Sequence, residues 1–285
     1  MAGDGGVNLV FAAAPLPWPF DVQHMQLALV AGLAIGISAP LVGTFLVSRQ
    51  MAFMGDGIGH VAFAGVAAGL LVGVWPVWSA LVVTVAGAVA LEWLRSRGRA
   101  SGDLALALFF YSGIAAGVVL TGDSEGHDER VLDYLFGSLL TVSSSDAWTV
   151  VALGVVAVTI IAFTWRALFS IVVDEESARV SGLPVDALNV LVAVLAAVVV
   201  VGAMRVVGVV LVGALMALPV GAAQRLVRGF RATLLASAAI SAGCVLLGLT
   251  AARLWDLEPG GTIVLVAAAT FALAAIAPRP HSTPA

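Results

Sequence analysis

The sequence predicts an all-α, polytopic integral membrane bundle of about eight or nine transmembrane helices. Three observations carry that prediction. The 285 residues are 61% hydrophobic and only 11% charged, whereas a soluble domain carries about 25% charged residues. The apolar residues fall in continuous runs of roughly 17–25, enough for a helix to cross a ~30 Å hydrocarbon core. They do not form the short alternating segments of a membrane β-barrel. The single cysteine, Cys244, excludes an intrachain disulfide and reads as a small packing residue.

Residues 1–20 read as an extramembrane tail. Met1 to Val7 hold no Lys or Arg, and Pro15, Pro17 and Pro19 interrupt the early apolar run, so no signal peptide is expected. Spans are expected at 22–47, 54–73, 75–94, 103–121, 147–165, 188–203, 206–222, 232–252 and 261–277. The second is glycine-rich, which allows an irregular start. Only Met204 and Arg205 separate the sixth and seventh, so these form a tight hairpin or one of them is short. Residues 21–278 thus make one transmembrane domain, and 279–285 a C-terminal tail.

Arginine alone sets the expected orientation, because the chain has no lysine and positive charge concentrates on the cytoplasmic side. With the N-terminus outside and the C-terminus cytoplasmic, Arg49, Arg95, Arg97, Arg99, Arg166, Arg179, Arg225, Arg228, Arg231 and Arg279 fall inside the cell membrane's cytoplasmic face. Arg130, Arg205 and Arg253 fall outside. So do the acidic loop Gly122–Asp133 and the turn Leu254–Gly261. The longest cytoplasmic connection is 166–187. It carries Asp174, Glu175 and Glu176, which suit the first turn of a short helix, then a Ser181–Gly182–Leu183–Pro184 turn.

The most informative residues are Asp56 and His60, at the head of the second span. Residues four apart share a helix face, so a helix starting near Asp56 sets a carboxylate beside an imidazole close to or within lipid. Intramembrane ionisable groups are functional candidates, and this donor pair suits Zn(II) or Mn(II). The bland alternative is an Asp–His hydrogen bond that fixes a helix start. Without lysine the chain cannot carry the G-x-x-x-x-G-K-[ST] phosphate loop, so active transport would need a separate ATPase or an ion gradient. H-E-x-x-H is also absent, and nothing points to nucleic acid or to a catalytic residue.

Five blocks then resemble the permease subunit of zinc/manganese/iron ABC importers. Arg49–Gln50–Met51, Met54–Gly55–Asp56–Gly57 and His60 are similar to the family's R-R-M-x-x-x-G-D-x-x-x-H block, with Gln50 in place of the second arginine. Tyr134–Leu140 resembles Y-L-F-G-[DS]-L-L. Asp174–Gly182 resembles D-x-E-x-A-x-x-x-G. Met204–Gly208 with Ala217–Ala223 resembles M-[KR]-x-V-G and I-I-P-A-A-x-A. Leu254–Gly261 resembles the D-x-P-x-G turn. The resemblance implies a type II importer-like fold, a second copy of this chain, cytoplasmic ATP-binding subunits holding the ATP, and an extracellular metal-binding protein. It implies Asp56 and His60 as transient ligands of the transported ion, with no cofactor bound by this chain. It also implies a coupling loop of Asp174, Glu175, Glu176, Ala178, Arg179, Ser181 and Gly182. The overall pattern looks closest to zinc members, with manganese next and iron third; Ser138 does not decide between them. The alternative is a gradient-driven secondary transporter with Asp56 as its coupling carboxylate.

Other polar residues have plainer readings. His127 with Asp123, Glu125, Asp128 and Glu129 reads as a solvated acidic loop or a cation-concentrating vestibule. Trp75, Trp78, Trp93, Trp148, Trp165 and Trp255 form an aromatic belt, with His24 interfacial. Glu92 and Arg95 read as a surface pair. Gly65 and Gly69 permit close helix approach. Arg205 needs an acidic partner, and Asp256 is a candidate.

Overall fold

The computed structural model describes residues 17–98, 102–122, 134, 135, 137 and 143–277. Residues 1–16, the acidic loop around His127, Ser138 and the tail after 277 lie outside the described residues. The described chain forms α1 (Gln23–Ser48), α2 (Met54–Val72), α3 (Pro76–Ser96), α4 (Gly102–Thr121), α5 (Ser144–Val173), α6 (Glu175–Val180), α7 (Val185–Ala203), α8 (Val209–Leu226), α9 (Phe230–Trp255) and α10 (Pro259–Ile276). Eight of these are long and apolar enough to cross a membrane. The apolar stretch Leu211–Leu226 of α8 is shorter. The expected sixth span is therefore present and the seventh is the short one of the pair, joined to it by a tight turn in which the Val206 and Val207 amides donate to Ala203 O.

Local chemistry sets the ends. Pro76 occupies the first turn of α3, where its missing N–H costs nothing. Ser143 and Asp146 close a capping box at the start of α5. Asp174 caps α6 by accepting from the amides of Glu176 and Ser177 at 3.0 and 3.1 Å. The fifth span overruns its expected end at 165. Helix α5 has 30 residues, or ~45 Å, against a hydrocarbon core of ~30 Å. Leu168 and Ile171 stay buried beyond Arg166, so packing carries the helix past the charge that ends the hydropathy signal. Segment 166–187 thus divides into the end of α5, the short α6 and a turn into α7.

Helices α1, α2 and α7 are mostly buried, while α3, α4, α5 and α10 turn much of their surface outward. Helix α1 is the hub and packs on α5, α7, α8 and α9. Lipid tails are as apolar as leucine, so close packing holds such a bundle rather than the expulsion of water. Small residues make that packing possible. A Cβ on Gly43 would overlap the carbonyl oxygen of Met216 on α8. Gly65 and Gly69 both abut α3, and Ser79 Oγ donates to Gly65 O at 2.8 Å.

One charged pair differs from expectation. Glu92 is not at the surface: it is 2% exposed and accepts from Arg95 Nε at 2.9 Å and NH2 at 2.6 Å. Its face of α3 is covered by the bundle, so loss of Arg95 would strand a buried carboxylate. That is far more costly than breaking a surface pair.

Gly43→Ala should destabilise the purified chain by about 1–3 kcal/mol through overpacking, read as a lower melting temperature. Gly243→Ala is the comparison, since nothing lies within 4 Å of a Cβ there; it should be neutral or slightly stabilising. Equal effects at the two sites would contradict the packing account.

Candidate functional site

Helix α1 stops at Ser48. The Arg49 amide caps it by donating to Leu46 O, and the Gln50 amide donates to Val47 O. Gln50 then takes φ 60°, in the left-handed region, and the Met51 amide returns to Leu46 O at 2.9 Å. This compact turn starts α2 at Met54. Asp56 falls in the first turn of α2, where the helix dipole favours a negative charge. His60 follows one helical turn later on the same face.

Glycines surround this pair. A Cβ on Gly213 of α8 would overlap Asp56 Oδ1, and one on Gly113 of α4 would lie 2.7 Å from the His60 carbonyl carbon. Gly55 and Gly59 of α2 face α8, at Met216 and Val209, while Gly57 faces Leu106 of α4. Three helices therefore close around two polar side chains only because the contact positions lack side chains. The alternative Asp56–His60 hydrogen bond is not formed among the described residues. His60 Nδ1 is buried without a hydrogen-bond partner, and its ring stands edge-on to Phe110 with centroids 4.3 Å apart. Among the described residues, Asp56 makes no hydrogen bond or ion pair.

Asp56 lines a cleft of ≈ 370 Å³ between α2 and α4, together with Phe53, Asp103, Leu106, Phe110 and Tyr111. Asp103 lies in the first turn of α4, at the same end of the bundle as Asp56. Sequence reasoning passed over it. An acid heading an apolar run on the same side as Asp56 was the available signal. Phe110 both lines the cleft and covers the His60 ring. No group of three or more His, Cys, Asp or Glu side chains is placed to hold a metal ion among the described residues.

The expected loop residues form a second centre. Glu175 of α6 accepts from Arg49 NH2 at 2.7 Å, and Arg49 NH1 donates to Asn189 Oδ1 of α7 at 2.6 Å. Arg179 reaches Asp186 at 2.8 Å and Glu175 at 3.8 Å. Arg49 is 11% exposed. Burial, then Arg95, lowers its pKa, against the pull of Glu175 and Glu92. Ala178 is buried, while Asp174, Glu176, Arg179, Ser181 and Gly182 are exposed. Hydrogen bonds from Ser177 and Glu176 hold the Asp174 carboxylate below its ordinary value of 3.8. A depressed carboxylate stabilises the fold above the unfolded pKa, so its cap is complete at neutral pH and is lost as pH falls through the folded pKa. Missed in the sequence was Asn189, a polar residue whose role depends on which helix its face meets.

At the opposite end Arg205 pairs with Asp146 at 2.5 Å, not with Asp256. Asp146 heads α5 beside the α7–α8 turn, whereas Asp256 caps α9. The Tyr134 ring lies 5.6 Å from the guanidinium. Gly137, at φ 78°, abuts Val206 to Gly208 so closely that a Cβ would lie 2.7 Å from each. Tyr134 and Gly137 thus dock on the turn that carries Arg205.

Residues 21–278 match the ABC 3 transport family, and the chain belongs to that family. A "probable metal transport system membrane protein" of Treponema pallidum is 34% identical over 85% of this chain and 91% of its own length. The manganese transport system membrane protein MntC of Halalkalibacterium halodurans is 31% identical over 88% of this chain and 86% of that protein. The solved structure of PsaBC from Streptococcus pneumoniae in complex with Fab has a TM-score of 0.81 at 28% identity, covering 90% of this chain and 93% of that one. The fold and family expected from the five sequence blocks are therefore found.

Arg49→Gln, Glu175→Gln and the double variant should show a coupling energy of about 0.5–1 kcal/mol in a double-mutant cycle of thermal unfolding. Strict additivity would mean that the 2.7 Å contact is energetically idle.

Proposed function

We propose that this chain is the membrane-spanning subunit of an ATP-driven importer of a divalent first-row metal ion. The observation that carries the proposal is the uncompensated Asp56–His60 pair. A carboxylate and a buried imidazole nitrogen with no internal partner sit one turn apart in a glycine-lined junction of an ABC-family bundle. Such groups are costly in a membrane interior unless a ligand engages them. Manganese is the first ion to test, since several relatives are named as manganese systems. Zinc, favoured by the sequence pattern, is the rival. Both accept O and N donors.

Two donors per chain leave a metal ion's shell incomplete. A second copy of this chain, packed against the outward face of α4, would supply another pair. Exposed Leu104, Leu108 and Tyr111 on that face, beside the cleft holding Asp56, support this arrangement. A site shared and loose in this way lets the ion leave again. Asp103 would receive it at the cleft mouth. The metal is cargo here, and the chain's own side chains replace part of its water shell.

The energy would come from separate cytoplasmic ATP-binding subunits docked on α6. Val180 is 90% exposed and Val173 67% exposed, on the part of the chain that overruns the membrane, and these apolar tips fit a protein cleft. Movement of α6 would pull Arg49 through Glu175 and so reach the start of α2. The arginine distribution supports an outside N-terminus and a cytoplasmic C-terminus. An extracellular metal-binding protein would deliver the ion at the Arg205 face.

Uptake of Mn(II) and Zn(II) into proteoliposomes, with the ATPase and binding protein present, tests this. ATP-dependent accumulation should fall at least about tenfold in Asp56→Asn and in His60→Ala, and less in Asp103→Asn. Accumulation without ATP, or driven by a proton gradient, would favour the secondary transporter in which Asp56 carries the coupling proton. Separately, a cysteine at Ser181 should crosslink to the ATPase; failure there and at neighbouring loop positions would reject α6 as the docking element.

A further inference from the structure

We propose that the groove between α5 and α9, at the arginine-rich end of the bundle, binds an anionic phospholipid of the adjoining leaflet. The groove measures ≈ 440 Å³ and is lined by Trp165, Phe169, Arg228, Phe230 and Arg231. Helix α1 packs against both α5 and α9 and forms the floor between them. Phe45 of α1 meets Phe230 at 5.2 Å, and Phe230 meets Phe169 at 5.0 Å, so the inner wall is aromatic. The outer rim is cationic. The Arg231 guanidinium stands 4.2 Å over the Trp165 ring, with that of Arg166 at 6.0 Å.

Depth identifies the occupant. Counted from Ser144, Trp165 and Arg166 lie ~32 Å along α5, where a ~30 Å hydrocarbon core gives way to headgroups. On the membrane side, Phe163 is 85% exposed and Leu235 is 71% exposed. They share helix faces with Arg166 and Arg231, at spacings of three and four. The groove therefore opens onto the lipid-facing surface, with room for an acyl chain below and a phosphate above. Arg166, Arg228 and Arg231 are exposed. Among the described residues, no acid pairs with Arg166, Arg225 or Arg231. A phosphodiester supplies the missing negative charge, and guanidinium groups match its oxygens with paired donors. Generic interfacial attraction explains an arginine excess, but not its arrangement around an aromatic groove.

The test uses the full-length chain in neutral detergent, titrated with dioleoyl phosphatidylglycerol and followed by mass spectrometry of the intact complex. A 1:1 adduct should persist at concentrations about tenfold below those needed for dioleoyl phosphatidylcholine. Arg166→Gln and Arg231→Gln should each weaken it roughly fivefold, at unchanged melting temperature without lipid. Arg97→Gln, which removes an arginine stacked on Trp93 at 4.7 Å and outside the groove, should leave it unchanged. Equal binding of phosphatidylcholine, or equal weakening by Arg97→Gln, would overturn the site. Glycerol 1-phosphate binding as tightly as phosphatidylglycerol would assign the arginines to a free phosphate instead. Undiminished binding in both groove variants would place the lipid elsewhere.

Discussion

A carboxylate and an imidazole inside an apolar bundle must be kept from pairing and from swelling the bundle with water. Much of this structure follows from that constraint. Helices α4 and α8 can close on α2 because Gly213 and Gly113 present bare backbone to Asp56 and His60. A side chain at either position would push the helices apart. The dipole of α2 eases the charge on Asp56 without neutralising it, and the Phe110 ring contacts His60 without offering a hydrogen bond. The polar atoms are left available, and the surroundings are shaped to tolerate that.

The two ends of the bundle solve their electrostatic problems differently. At the arginine-rich end, a chain of ion pairs and amide contacts runs from Asp186 through Arg179 and Glu175 to Arg49 and Asn189. It ties α6 to the ends of α1 and α7. At the other end the Arg205–Asp146 pair anchors the α7–α8 turn, with Tyr134 against its face. The buried Glu92–Arg95 pair shows that even within one helix, burial rather than spacing decides whether a charge pair matters.

The bundle was largely legible in the sequence, because hydropathy reports what must avoid water. The Asp56–His60 pair was legible too, since four-residue spacing on a helix leaves little freedom. What hydropathy cannot report is which faces meet. That is why α5 passes Arg166 unannounced, why Arg205 finds Asp146 and not Asp256, and why Asn189 joins Arg49 without any local signal. Glu92 carries the same lesson in reverse. Its spacing to Arg95 gives the pair, but the bundle that covers it is invisible from one helix. Asp103 was readable in principle, as an acid at the same membrane level as Asp56 on a parallel helix.

The turn between α1 and α2 has a mechanical meaning. Residues 49–51 are already spent on caps and a left-handed residue, with amides returned to Leu46 and Val47, and the Met54 amide returns to Met51 O. Such a segment has little slack to pay out, since an extended chain gains at most ~3.6 Å per residue and these residues are not free to extend. The joint therefore acts as a stiff crank rather than a tether. If α6 moves as proposed, displacement of Arg49 would be transmitted to the first turn of α2 instead of being absorbed, gearing the orientation of Asp56 to the position of α6.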